Sequence, residues 1–301
     1  MHKESRKAVL AALFANFFIA IFKIVAAIFS RSSSMMAEGY HSISDTLNQV
    51  LLLYGLRRCR RAPTQLHPFG YGKEQFFWSF MVAIMLFGVA GVLSIREGYH
   101  KLLHPEPISH LGLNYLALGF AFVFETYAIR IAIRNIRKEM KQEKYLTFWK
   151  AMRNSKDPTT LTVLIEDSLA LIGLLIAAVA ITLVRLTGIL IIDGIASMLI
   201  GAFLMVFAVF LAFETKKLLV GEAVSKVKRK KLLEAVRSFP EVQKLISLKT
   251  MHLSSEEVLV ALEVNYRDDL KADDIELLND RIEEKIKGII PEAKIYIEAE
   301  N

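Results

Sequence analysis

Two ionisable side chains of this 301-residue chain lie in a predicted membrane span, where charge is costly, although polar residues around them make this segment the least certain span by hydropathy. His41 and Asp45 are four residues apart, so on a helix they share one face and could bind one ion together. An imidazole with carboxylates suits zinc, and also manganese, iron or cobalt. A purely structural hydrogen bond between the two side chains is the alternative interpretation.

Three more carboxylates, Glu125, Glu166 and Asp167, lie at a similar depth in other apolar segments. Glu166 and Asp167 are adjacent, so they point about 100° apart on a helix and can hardly both face one ion. Glu125 could contact the metal directly, form an ion pair with Lys23 or cap a polar contact. Otherwise Lys23 is expected to extend its ammonium group toward the membrane surface. Asp193, at the start of another apolar segment, is expected to be structural.

The segments that must position these side chains are long and apolar. Hydrophobic residues make up 53% of the chain, which is typical of a membrane protein. A hydrocarbon core of about 30 Å needs roughly 20 apolar residues as helix. Six segments qualify, at about 7–29, 36–57, 76–97, 111–134, 160–185 and 189–213. The first has no small-residue cleavage site, so it is expected to be a span rather than a signal peptide.

Charge in the loops predicts the orientation of these spans. The N-terminus and the loops 57–73 and 130–156 carry 17 Lys and Arg residues, against 4 on the opposite side. By the positive-inside rule, the basic side is cytoplasmic, which places both termini in the cytoplasm. The same rule explains the net charge of +7, so we predict no nucleic-acid partner. Cys59 is the only cysteine, which excludes an intrachain disulfide or a thiolate metal cluster.

The last part of the chain reads as a small soluble domain. Residues 224–238 have the pattern of an amphipathic helix, and a β-hairpin, a second helix and a final strand follow. The predicted fold is therefore an all-α membrane bundle of six helices over 1–213, followed by an α+β domain of order αββαβ over 214–301.

Five motifs in order resemble the cation diffusion facilitator family of zinc and manganese transporters. They are Glu38–Asp45 (EGYHSISD), His67–Glu74 (HPFGYGKE), the stretch around Asp167, Asp193–Gly201 (DGIASMLIG) and Leu218–Glu222 (LLVGE). HxxxD alone is a weak signal. Its combination with HPFGYG and six apolar segments is specific, and the resemblance covers nearly the whole chain.

The resemblance implies that His41, Asp45 and Asp167 are metal ligands. Where the family often has a further histidine, four residues before that last aspartate, this chain has Val163, which cannot bind metal. The resemblance therefore leaves the fourth ligand open. The candidates are Glu125, Glu166, Gln49 and water.

The resemblance also implies a function: export of a divalent cation, zinc first, by exchange with protons and alternating access in a homodimer. The C-terminal domain would be ferredoxin-like, cytoplasmic and dimerising. We expect no enzymatic activity and no cofactor besides the transported ion, and we expect the protein in the lipid bilayer of a bacterial inner membrane. Two alternatives remain: export of manganese, iron or cobalt, and a membrane sensor or scaffold that binds metal without moving it.

Overall fold

The computed structural model describes residues 3–142 and 158–300 of the chain. Long helices cover each of the six predicted segments. Most of the predicted basic loop between the fourth and fifth segments, residues 143–157, lies outside the described residues. The helices are α1 (Lys3–Ser30), α2 (Ser33–Arg58), α3 (Glu74–Leu103), α4 (Leu111–Gln142), α5 (Pro158–Thr187) and α6 (Ile191–Val220).

Four of the described helices are long and apolar enough to cross a membrane: α3 and α6, and the parts Leu111–Ile131 of α4 and Glu166–Thr187 of α5. Helix α1 contributes a shorter apolar stretch, Asn16–Ser30. Helix α2 does not meet the same criterion of length and composition, because polar residues interrupt it. Membrane crossing by α1 and α2, and hence the count of six spans, stays a prediction.

Helices α3 and α6 approach each other closely at two pairs of glycines. A Cβ atom on Gly194 would lie 2.8 Å from the carbonyl oxygen of Gly98, and one on Gly201 would lie 2.8 Å from that of Gly91. Such distances leave no room for any side chain, so the two backbones touch, as small residues allow in membrane bundles. Near the second pair, α3 passes through a π-helical segment, Leu86–Val92.

The C-terminal region contains two helices and a three-stranded sheet. Strand β1 pairs antiparallel with β2, and β2 pairs parallel with β3, so β2 is central. This is the predicted αββαβ order, and assignment to the ferredoxin-like fold stays a prediction. The elements are α7 (Lys226–Arg237), β1 (Val242–His252), β2 (Val258–Tyr266), α8 (Ala272–Lys287) and β3 (Ala293–Ala299).

Burial along β2 alternates as expected for a strand whose one face is covered. Val260, Leu262 and Val264 face a core shared with the apolar stripe of α8. At the end of the strand, burial raises the pKa of Tyr266 to about 12, and its hydroxyl donates a hydrogen bond to Asn279 Oδ1. The sheet therefore has one packed face and one open face.

The described chain divides into two compact units, Met1–Leu52 with Met81–Ala212, and Leu53–Phe80 with Phe213–Asn301. The C-terminal end of α2, the start of α3 and the loop that joins them thus belong to the same unit as the C-terminal region. The predicted division into domains 1–213 and 214–301 stays a prediction.

The HPFGYG loop lies against the C-terminal sheet. A Cβ on Gly72 would lie 2.5 Å from the carbonyl oxygen of Leu253, so only glycine permits this approach. Lys294 of β3 donates to the carbonyl oxygen of Phe69 at 3.2 Å, and the Phe69 and Tyr296 rings meet edge to face, 6.3 Å between centroids. The loop motif therefore has a structural role: it joins α2 to α3 and packs against the C-terminal sheet.

Glu74, the last residue of this motif, ties the ends of α2 and α3 together. Its carboxylate accepts hydrogen bonds from Arg58 Nε at 3.1 Å and Arg58 Nη2 at 2.9 Å, and from Trp78 Nε1 at 3.0 Å. Such a two-pronged Arg–carboxylate contact fixes orientation as well as distance. The end of α2 is thereby held to the start of α3.

Candidate metal centre

A stripe of four polar residues runs along one buried face of α2, at spacings of three, four and three residues. We call Glu38, His41, Asp45 and Asn48 the α2 polar stripe; three of the side chains are 0–2% exposed and that of Asp45 is 16% exposed. Because residues at these spacings stack on one helix face, the stripe is continuous. The stripe explains why α2 is too polar to meet the criterion for a membrane span although its polar groups are buried.

His41 and Asp45 form the centre of the stripe. Their closest atoms, His41 Nδ1 and Asp45 Oδ1, are 3.5 Å apart. The contact does not have hydrogen-bond geometry, and neither imidazole nitrogen has a hydrogen-bond partner among the described residues. The alternative of a structural hydrogen bond between the two is therefore wrong for this conformation. Buried polar atoms are seldom left unpartnered unless a site for water or an ion is involved.

Glu166 is the carboxylate that joins this pair from α5. Its Oε1 accepts a hydrogen bond of 3.0 Å from Asn48 Nδ2, and its carboxyl group lies close enough to that of Asp45 for the two to interact electrostatically. Three members of a polar network thus come from two helices.

Asp167 and Glu125 lie close enough to interact electrostatically with each other and with Glu166. Asp167 Oδ2 is buried without a hydrogen-bond partner. In the part of the chain that the structure describes, no three His, Cys, Asp or Glu side chains are close enough to hold one ion. The predicted ligand set therefore stays a prediction. The structure places His41 beside Asp45 and Asp45 near Glu166, but it does not gather three of these side chains around one point.

Two further candidates can be placed only in part. Gln49 lies on α2, half-buried, beside the stripe rather than on it. Val163 lies on α5, one turn before Asp167, and its side chain is outside those that the structure describes.

Lys23 does not extend toward the membrane surface, so that expectation is wrong. Its ammonium group lies 2.9 Å from Glu38 Oε2, and the two side chains are 1% and 0% exposed. Lys23 pairs with Glu38 rather than with Glu125, because a buried charge requires a partner of opposite sign within reach. Sequence reasoning missed Glu38 as a site residue. Its position three residues before His41, on the same helix face, was the available signal.

Asp193 is fully buried and holds the N-terminus of α2. One carboxylate oxygen accepts from Ser33 N at 2.6 Å and Ser33 Oγ at 3.0 Å, and the other accepts from Ser32 Oγ at 2.9 Å, Ser34 N at 3.2 Å and Ser34 Oγ at 2.5 Å. A carboxylate at this position satisfies backbone N–H groups that a helix leaves unpaired and complements the helix dipole. The structural role expected for Asp193 agrees with these contacts.

Comparison with known proteins points the same way as the motifs. The family described as the cation efflux transmembrane domain matches residues 9–220. Metal tolerance protein C4 of Arabidopsis thaliana is 35% identical over 248 residues, which is 82% of this chain and 54% of that protein. The mitochondrial proton-coupled zinc antiporter of Xenopus laevis is 32% identical over 286 residues, 93% of this chain and 51% of that protein.

A more distant relative carries a different metal in its name. The manganese efflux system protein MneP of Bacillus subtilis is 26% identical over 134 residues, 44% of this chain and 44% of that protein. The chain spans about half the length of the curated relatives it matches. The family match covers most of the chain and confirms the resemblance seen in the motifs. The chain therefore belongs to the cation efflux, or cation diffusion facilitator, family of multi-pass membrane transporters.

Proposed function

We propose that this protein exports a divalent cation from the cytoplasm, zinc in the first place, in exchange for protons. The observation that carries the proposal is the His41–Asp45 pair, buried within a helical bundle with both imidazole nitrogens free of hydrogen-bond partners. Family membership supports movement of the ion rather than catalysis on it.

The ligands of the proposed site are His41, Asp45 and Asp167, with Glu166 and then Glu125 as candidates for the fourth. A mixed nitrogen and oxygen donor set suits zinc, and manganese remains compatible with it. The zinc antiporter of Xenopus laevis matches over more of this chain than the manganese efflux protein does, which supports the order of preference.

The closeness of Asp45 and Glu166 supports proton exchange. Two carboxylates that share a buried site repel each other, so we propose that the pair holds a proton when no metal is bound. Metal ligands must be deprotonated, so an arriving cation releases this proton, and returning protons displace the cation. A proton gradient then drives the exchange by alternating access between the two faces.

The remaining architecture follows the family. We propose six spans with both termini cytoplasmic, the α2 polar stripe facing the bundle interior, and a ferredoxin-like C-terminal domain through which two copies dimerise. A bacterial plasma membrane is the proposed location.

Flux measured in proteoliposomes tests the function. Purified protein is reconstituted, a proton gradient is imposed, and uptake of Zn²⁺, Mn²⁺, Fe²⁺ and Co²⁺ is followed with an indicator inside the vesicles. We expect gradient-dependent zinc uptake that exceeds uptake of the other ions. Binding of zinc without flux of any ion would replace the exporter by the sensor or scaffold.

The two candidates for the fourth ligand are separable by matched substitutions. Because Glu166 lies near Asp45 and interacts with it electrostatically, Glu166→Gln is expected to weaken zinc binding by about tenfold or more. Glu125→Gln is expected to change it by less than about twofold. Calorimetric titration of the purified protein measures both, and an equal loss in Glu125→Gln would place that residue in the site instead.

A further inference from the structure

The α2 polar stripe extends past the proposed metal ligands. Glu38 lies three residues before His41 on the same helix face, about 4.5 Å further along the axis. In the proposed orientation this direction leads to the outer face. Glu38 is therefore the next ionisable group that an ion leaving His41 and Asp45 would meet, and this inference rests on the proposed function.

Glu38 is only half satisfied. Lys23 contacts Oε2 at 2.9 Å, while Oε1 is buried and has no hydrogen-bond partner among the described residues. Both imidazole nitrogens of His41 are also buried and have no hydrogen-bond partner among the described residues. A fully buried carboxylate oxygen without a donor is unusual in a pair whose role is only structural.

A small cavity borders both groups. Its volume is about 10 Å³, and Glu38 and His41 line it together with Leu169, Gly173 and Leu204. A space of this size holds about one water molecule, or one ion of similar radius. The surface that the cavity exposes is apolar, so it provides room beside Glu38 and His41, whose carboxylate and imidazole are ligand types for divalent cations.

Gly173 makes room for the Glu38 carboxylate. A Cβ atom at position 173 would collide with Glu38 Oε1. Helix α5 therefore lacks a side chain at the level where the Glu38 carboxylate faces it, and the carboxylate occupies that room.

We propose that Glu38 is a further binding position for the transported cation, on the release side of His41 and Asp45, and that the Lys23 ammonium occupies it when no metal is there. A metal ion that moves outward takes the place of the Lys23 ammonium at Glu38. The carboxylate therefore always has a cation beside it in the bundle. When Lys23 returns, it favours release of the metal and opposes its re-entry from outside. Lys23 is in this sense a tethered competitor.

Inhibition by zinc on the release side measures this competition. In proteoliposomes, the initial rate of zinc transport is recorded against increasing Zn²⁺ on the side toward which the ion is released. Lys23→Gln is expected to tighten this inhibition by about tenfold or more, because the like charge that opposes metal at Glu38 is gone. The KM for zinc on the cytoplasmic side stays within about twofold of wild type.

A double variant and a matched control complete the design. Lys23→Gln/Glu38→Gln replaces the pair by two neutral amides and removes the carboxylate. It is expected to make release-side inhibition about 100-fold weaker than in Lys23→Gln alone, and therefore weaker than in wild type. Lys101→Gln is the control, because Lys101 is also a buried lysine but donates to the carbonyl oxygen of Arg31 rather than to a carboxylate. It is expected to leave the inhibition unchanged.

The outcomes separate this inference from the proposed function. The role of Glu38 is overturned, while export stands, if zinc on the release side inhibits Lys23→Gln no more strongly than wild type. It is also overturned if zinc inhibits the double variant as strongly as Lys23→Gln. If Lys23→Gln does not fold, the double variant is compared with wild type, and unchanged inhibition overturns the inference. Absence of zinc flux in the wild-type protein would instead refute the exporter itself.

Discussion

Asp45→Asn is expected to lower zinc flux by about 100-fold or more and to leave the protein folded and inserted. Asp45 is the central residue of the proposed site, since its carboxylate lies 3.5 Å from the imidazole of His41 and interacts electrostatically with Glu166. Asparagine has nearly the same shape but a neutral amide, so it loses the charge that attracts the cation and the carboxyl group that can exchange a proton.

Flux in proteoliposomes and zinc titration of the purified protein measure this effect, with gel filtration as the check on folding. Thr46→Ala is the matched control. Thr46 is the next residue on α2, and its hydroxyl donates only to the carbonyl oxygen of Ser42, so its removal should leave flux unchanged. Flux of wild-type size in Asp45→Asn would remove this residue from the site.

The second large effect is on stability. Asp193→Ala is expected to destabilise the protein by about 3 kcal/mol or more, because the N–H and hydroxyl donors of Ser32, Ser33 and Ser34 lose a charged, buried acceptor. The N-terminus of α2 would lose its anchor on α6. His41 and Asp45 follow on the same helix, so metal affinity should weaken along with stability.

Thermal unfolding of the full chain in detergent measures the change. A loss of this size corresponds to a fall in the unfolding temperature of about 6–12 °C. Glu106→Ala serves as the control, since Glu106 forms only an exposed pair with Arg31 and contributes little. An unfolding temperature equal to that of the control would show that the serines find other acceptors.

Much of the helical organisation could be predicted, because apolar segments of span length and turn residues are local properties of the sequence. The αββαβ order of the tail was equally local, since alternating and helical periodicities do not overlap there. Helix α2 was predicted despite its polarity, because the charges of the flanking loops are consistent only if the segment at 36–57 spans the membrane.

Side-chain pairing between helices could not be predicted in the same way. An ammonium group at the position of Lys23 can reach the membrane surface or a buried carboxylate, and the choice depends on how α1 is rotated toward α2. The same rotation problem separates Glu166 from Asp167: spacing shows that they diverge by about 100°, but only the packing of α5 on α2 shows which one meets Asp45.

Under the proposed alternating access, the close contact between α3 and α6 limits which helices can move against each other. Besides the glycine pairs, Ser197 Oγ of α6 donates to the carbonyl oxygen of Ser94 of α3 at 2.8 Å. Two backbones joined in this way can slide or separate only if several contacts break at once. We therefore expect α3 and α6 to move as one rigid body. The hinge of the proposed transport cycle should then lie outside this pair. The α2 polar stripe would be exposed in turn to the two sides of the membrane by rotation of the other helices against α3 and α6.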